Sequence, residues 1–575
     1  MTKPGSTRTT QGKIALEANP IAEVAASVGI REAYLETFGR YKAKVSLDLL
    51  SDGRRNSNGK YILVTAVTPT PLGEGKTTTT IGLGMALSKL GKKAVVALRQ
   101  SSLGPTFGIK GGGAGGGRAQ IIPLEESILH LTGDLHAVAQ AHNQIAALTD
   151  NAWFHGNKLS IVPEKIQIRR VVDVNDRFLR FVSIGQGGEA NGIPRNTGFD
   201  ITTASELMAI LALVDGDSNL SALKDLRARI GRMVVAFTKE NRPITAEEIK
   251  GAGAATVIMR ESLKPTLMQT VENTPVLIHA GPFANIAHGC SSILSDRVGL
   301  KVADYLVTEG GFGADMGAEK FFDIKCRTSG LAPSAAVLVT TIRALKMHTG
   351  KYKVTPGKPL PEELLRESPA DVLAGCDNLR KQIANIKTFG VPVVVAINAF
   401  PEDKPTEVEV IRQIAKEAGA FDVAVSRVYA EGGNGGIELA EMVMRATEQG
   451  SNFKLLYPDD ATIKNKIHTL ATTIYGANTV EYSAQAEEQL TMFEQLGYGQ
   501  LPVCMAKTHL SISHDPNLKG APRGYAFPVR EMRASVGAGF IYPIAGNMMT
   551  MPGLGPITNA ENIDIDENGH TVGLF

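Results

Sequence analysis

The sequence is poor in the features that mark metal clusters, secretion, membranes or nucleic-acid binding. Cysteine occurs four times in 575 residues, at Cys290, Cys326, Cys376 and Cys504, widely spaced and with no CxxC pair. Neither a zinc site nor a disulfide framework follows from such spacing, and a reducing cytoplasm is the expected setting. Net charge is nearly absent, because 60 lysines and arginines stand against 58 acids. A formal charge of +2 provides no field for gripping a polyanion along its length, so nucleic acid is not an expected partner. No apolar run reaches the roughly 18 residues of a membrane span. The basic N-terminal stretch MTKPGSTRTTQGKIALEANP has no apolar core behind it, so secretion is not expected either.

Glycine, by contrast, occurs 60 times and gathers in the loops between apolar runs, as in a protein whose backbone approaches its ligands closely. The chain is longer than the roughly 250 to 300 residues that one hydrophobic core supports, so two or three domains are expected. Short β-branched runs alternate with helical patterns at 61–67, 93–98, 275–280, 303–309, 335–341, 391–398 and 422–428. This alternation predicts an α/β fold with a doubly wound, mainly parallel sheet, whose ligands gather at the carboxyl ends of the strands. Composition shifts near residues 350 and 455 suggest divisions at 1–350, 351–455 and 456–575. In the last part, ATIKNKIHTLATTIYGA and SAQAEEQLTMFEQLG read as helices, and LPVCMAK and GAGFIYPIAG as strands.

The stretch TPTPLGEGKTTTT (68–80) nearly spells a phosphate-binding loop. Such a loop turns backbone N–H groups inward, places a lysine on the β- and γ-phosphates and offers a hydroxyl to Mg²⁺. Gly73, Gly75, Lys76 and Thr77 fit that form, and Thr70, Pro71, Leu72 and Glu74 complete the candidate ATP cradle. The usual first glycine would fall on Thr70, where a β-branched residue is strained if φ must be positive. A strand pattern before the loop and a helix pattern after it, stopping at Gly91, put Gly75-Lys76-Thr77 at a helix N-terminus. The same residues would also serve an ordinary strand-to-helix turn. Arg99 follows the next strand, placed to clamp a carboxylate or phosphate, or to act as a structural ion-pair partner.

With TPTPLGEGKTTTTIGL, SLGPTFGIKGG, LTGDLHA, RVVDVNDR, GFDITTASE, GPFANIAHGC, GFGADMGAEKFFDIKCR, FGVPVVVAINAFPED, LPVCMAKT and MTMPGL taken together, the chain closely resembles the formate–tetrahydrofolate ligases over nearly its whole length. That family uses a phosphate loop lacking the first glycine. The resemblance implies a P-loop NTPase-like fold with two smaller α/β domains, 1–350 being the nucleotide-binding and catalytic part and 351–455 contributing the folate site. It implies an ATP-driven ligation in which formate takes the γ-phosphoryl to become formyl phosphate, and N10 of tetrahydrofolate then captures the formyl group. Mg²⁺ accompanies ATP, a monovalent cation (K⁺ or NH₄⁺) activates, and the assembly is a homotetramer. Lys76 and Thr77 would hold phosphates and metal, and Arg99 the formyl phosphate.

The family's pterin ring lies between two aromatics that match Phe400 and Tyr429. Asp134 is a candidate for positioning formate or metal, or a helix cap; His279 or His288 is a candidate general base, or a structural histidine. Asn285, Glu309 and Asp315 occupy similar strand-end loops, and glycines 111–117 are a candidate closing wall or a plain turn. Gln100, Ser101, Arg118, Tyr429 and Glu431 depart from the family's usual Glu, Pro, aromatic, Trp and Lys. Glu431 opposes an anionic folate tail, so weaker folate affinity is expected. A P-loop ATPase of switch or partitioning type, or a family member of weakened activity, also fits these residues.

Overall fold

The computed structural model describes residues 18–53, 59–108, 113–354, 359–546 and 548–574. The seven β-branched runs read from the sequence become seven strands of one sheet, ordered across it as Pro275–Ile278, Ala94–Leu98, Tyr305–Glu309, Lys60–Ala66, Ala335–Thr340, Val393–Asn398 and Asp422–Ser426. All neighbouring pairs in this series are parallel. Their residues are apolar on both faces because both faces are covered. On one face Ile62, Val64, Val307 and Val337 pack against Leu83, Ala86 and Leu87 of the helix Lys76–Lys89 and Leu439 and Val443 of the helix Ile437–Gln449. On the other, Leu63, Leu338 and Val395 join a core with Leu379 and Ile383 of the helix Pro369–Thr388 and Leu294 and Val298 of the helix Ile293–Val302. The molecule is therefore a mixed α/β protein built on a large, mainly parallel sheet.

Thr266–Thr270, Ala43–Val45 and Leu35–Thr37 extend the sheet antiparallel beyond Pro275–Ile278. At the opposite side, the strands from 393–398 and 422–426 continue the same sheet as the Lys60–Ala66 strand.

In the last third, the two expected helices form at Ile463–Thr469, running on through Leu470–Ile474, and at Ala484–Gln495. GAGFIYPIAG holds the strand Phe540–Ile544. LPVCMAK does not form a strand; Val503 and Ala506 make only isolated bridges to Ile541 and Ile544. The reason is local: Pro543 accepts from the Ala506 N–H but has no N–H to return, so the ladder breaks there. Among the described residues no helix is long and apolar enough to cross a membrane.

Candidate functional site

The Lys60–Ala66 strand runs through Thr68–Gly75 into the helix Lys76–Lys89. Gly73 and Gly75 take φ of +74° and +79°, which favours glycine at both places. Thr70 is not among the residues of positive φ, so the β-branched side chain is unstrained. Its hydroxyl accepts the Leu72 N–H at 3.3 Å, its carbonyl accepts the Gly73 N–H, and its own N–H donates to Glu74 Oε1 at 2.7 Å. The buried Glu74 carboxylate and the Thr70 hydroxyl thus close the turn. Since the amides of Thr70, Leu72 and Gly73 are bonded inside the loop and Pro71 has none, the candidate cradle narrows toward the start of the helix, where intrahelical partners are lacking.

Glu309, at the carboxyl end of the neighbouring strand, accepts a hydrogen bond from Thr77 Oγ1 at 2.7 Å. A hydroxyl and a carboxylate at the head of the helix are the small, hard oxygen set from which Mg²⁺ bound to phosphate is held, since that ion keeps most of its shell from water and phosphate. Asn398, ending the strand on the far side of Ala335–Thr340, donates from Nδ2 to the Glu74 carbonyl at 3.1 Å.

Arg99 follows the Ala94–Leu98 strand, which is separated from the Lys60–Ala66 strand by Tyr305–Glu309. It stands two strand spacings from the loop, roughly 10 Å, rather than directly beside it. Its Nη1 donates to the Pro282 carbonyl at 3.3 Å and lies 3.6 Å from where a side chain on Gly311 would begin. Gly311 comes two residues after Glu309. Arg99 and the Thr77–Glu309 pair therefore share one sheet edge, joined by the segment 309–311. The Arg99 Nε and both amide atoms of Gln100 are buried without hydrogen-bond partners among the described residues.

Phe400 and Tyr429 follow the two outermost parallel strands, which pair with each other. The Arg343 guanidinium covers the Phe400 ring at 3.9 Å. Tyr429 is 53% exposed, and its carbonyl accepts the Arg118 N–H at 2.8 Å. Side chains on Gly116 and Gly117 would begin 3.2 Å from the Tyr429 Cε2 and 2.2 Å from its carbonyl oxygen. The glycines let the backbone lie against the tyrosine, and Gly113 donates to Ser101 Oγ at 3.1 Å. Gly111 and Gly112 lie outside the described residues. Glu431 is exposed, two residues beyond Tyr429.

The other candidates sit elsewhere. Asp134 begins the helix Asp134–Phe154, buried, with Oδ1 paired to the buried Lys44 at 2.7 Å and Oδ2 without a partner among the described residues. The His279 ring has Nδ1 2.6 Å from Ser292 Oγ and Nε2 2.6 Å from the Ser262 carbonyl, which leaves no edge for a substrate. Burial lowers its pKa to about 4, the nearby Asp134 opposing the shift. With both ring nitrogens engaged in the core, the geometry favours the structural alternative for His279 over the general base. His288 is buried with neither nitrogen partnered among the described residues, and burial, then the charges of Lys325 and Arg99, hold its pKa well below the ordinary value. Asp315 is a structural anchor: Oδ2 pairs with the buried Lys507 at 2.7 Å and Oδ1 accepts from Gln382, which also donates to Thr68 Oγ1. Strand-end position is the visible signal for Glu309; Asn398 lies within FGVPVVVAINAFPED, but nothing in that stretch shows that it reaches Glu74.

The comparisons with known proteins point the same way as the loop. The family model described as "Formate--tetrahydrofolate ligase" matches residues 10–575. The protein of that name from Herpetosiphon aurantiacus is 64% identical over 98% of this chain and 99% of its own. Those from Chloroflexus aggregans and Saccharopolyspora erythraea are 63% and 58% identical, over 98% and 96% of this chain and 99% and 97% of theirs. With a match of that depth running almost end to end over the phosphate loop, the Arg99 edge and both aromatic positions, the chain belongs to the formate–tetrahydrofolate ligase family.

Proposed function

We propose that this protein joins formate to tetrahydrofolate at the expense of ATP, giving 10-formyltetrahydrofolate, ADP and phosphate. The observation that carries the reading is the Thr77–Glu309 pair at the head of the phosphate-loop helix, with Arg99 beside Gly311 on the same edge. Lys76 and the first amides of the helix hold the β- and γ-phosphates of ATP. Thr77 and Glu309 would hold Mg²⁺, which supplies charge neutralisation on the transferring group when bound.

A formate oxygen attacks the γ-phosphorus, ADP leaves, and the formyl phosphate formed keeps its charge against Arg99, whose unpartnered Nε is a donor awaiting an anion. The N10 amine of tetrahydrofolate then attacks the formyl carbon; the carbon–oxygen bond to phosphate breaks, phosphate departs and N10 loses its proton. Positioning and charge stabilisation suffice, without a covalent enzyme intermediate. Phe400 and Tyr429 sandwich the pterin, one ring backed by Arg343 and the other by the glycine segment. Asp134, buried and paired to Lys44, anchors the start of the helix Asp134–Phe154 rather than touching formate.

A P-loop NTPase-like fold, a homotetramer, activation by a monovalent cation and a cytoplasmic setting complete the reading, as the family resemblance implies; divisions near residues 350 and 455 rest on composition. The test is to mix purified protein with MgATP, formate and tetrahydrofolate, and to look for formylated folate after acid conversion to the methenyl form. Product that requires all three substrates is expected; ATP turnover without formate and folate would favour a switch-type ATPase.

A further inference from the structure

We propose that Asn398 is a positioning residue that couples the folate platform to the phosphate loop, so that each substrate tightens the grip on the other. The inference rests on the ligase reading above. Asn398 is 8% exposed and ends the strand Val393–Asn398. Its Nδ2 donates to the Glu74 carbonyl at 3.1 Å. A side chain on Gly75 would begin 2.3 Å from that same nitrogen, so the amide end of Asn398 sits against the backbone immediately before Lys76. Shifting the carboxamide shifts the peptide that aims Lys76 and the first N–H groups of the helix. Alanine would leave a void there; aspartate would set a carboxylate oxygen against the Glu74 carbonyl, acceptor against acceptor.

In the other direction the chain is stiff. The Ala399 N–H donates to the Ser426 carbonyl at 3.0 Å, and the Phe400 N–H donates to Asp403 Oδ2 at 2.9 Å. Phe400 is thus held two residues beyond Asn398. The second aromatic reaches the same helix by another route: a side chain on Gly116 would begin 3.2 Å from Tyr429 Cε2 and 3.8 Å from Thr78 Oγ1, in the first helical turn. A flat ring seated between Phe400 and Tyr429 presses on two elements that both end at residues 74–78. Coupling between binding sites is reciprocal, so the factor by which folate tightens ATP is the factor by which ATP tightens folate.

The test is calorimetric titration of MgATP without formate, so that no phosphoryl acceptor is present, with and without saturating tetrahydrofolate, on the unmodified protein, Asn398→Ala and Asn398→Asp. Folate should tighten MgATP at least about fivefold in the unmodified protein, the low end of common coupling factors. Both variants should bring that ratio below about twofold and lower kcat while leaving the KM for formate unchanged. Asn398→Asp keeps the side-chain volume and carries the test if the alanine variant folds poorly. A ratio preserved in the variants overturns the proposal, including the case where ATP weakens equally with and without folate, as a merely structural role requires. So does a ratio of one in the unmodified protein. Failure of the ligase reading is read separately, as absence of 10-formyltetrahydrofolate from the unmodified protein.

Discussion

Gly75 is tightly constrained, since its φ of +79° strains any side chain and an added carbon would begin 2.3 Å from the Asn398 nitrogen, which would have to shift. On the proposed mechanism, charge stabilisation falls to Lys76 beside it and to Arg99 on the same sheet edge. Replacing Lys76 or Arg99 with alanine should lower kcat by roughly 10² to 10³, the scale of losing one preorganised stabiliser of developing charge. Steady-state rates of formyltetrahydrofolate formation check this, and near-normal rates in both variants would remove those roles. Away from the loop, Glu206 accepts hydrogen bonds from the Gly537 and Ala538 N–H groups, and burial raises its pKa to about 7. Between the ordinary value of 4.5 and 7 the folded carboxyl binds a proton that the unfolded one has released, so this group's stabilising contribution is lost as pH rises through that window. Glu206→Gln, which stays neutral, should therefore gain thermal stability relative to the unmodified protein on going from pH 5 to pH 8. A stability difference independent of pH would contradict the shift.

At the scale of elements, the turn Gly115–Gly117 is shaped around Tyr429. Gly117 has φ of +59°, and an added carbon would begin 2.2 Å from a backbone oxygen that cannot swing aside. Gly117→Ala should push Tyr429 outward and raise the KM for tetrahydrofolate by roughly tenfold, the factor corresponding to about 1.4 kcal/mol of lost stacking, with the KM for ATP nearly unchanged. Equal rises for both substrates would place the turn elsewhere in the mechanism. The parallel strands were legible in the sequence because burial on both faces makes each an unbroken apolar run, and the loop was legible because strand, glycines, lysine and helix follow in order. Thr266–Thr270, three of its five residues threonine or glutamine though wholly buried, has no such signature. The partners of the site were not legible either: Thr77 meets Glu309 and Glu74 meets Asn398 across 232 and 324 residues, through a strand order that local pattern does not encode. Strand order also explains why Arg99 lies one strand further from the loop than its place in the chain implies, and why His279, seemingly at the ligand edge, turns into the core.

For the whole molecule, the last third of the chain is tied in beneath the nucleotide loop. Lys507 reaches Asp315, whose partner Gln382 holds Thr68, and Asn378 joins Thr68 to the Gly520 carbonyl. Burial lowers the Lys507 pKa, with Asp315 as the main opposing influence. Lys507→Met would strand a buried carboxylate and should cost about 3 to 5 kcal/mol in urea unfolding, partly restored by adding Asp315→Asn. Loss of similar size in the double variant would show that packing, not charge, is what the pair supplies. On the proposed reading the site is one edge of a single sheet, braced by the last third of the chain, at which formate is activated before the amine arrives. Turnover of ¹⁸O-labelled formate tests that claim most directly. Passage through formyl phosphate predicts one labelled oxygen in the released phosphate per turnover, because the attacking formate oxygen leaves with phosphorus; phosphate free of label would contradict it.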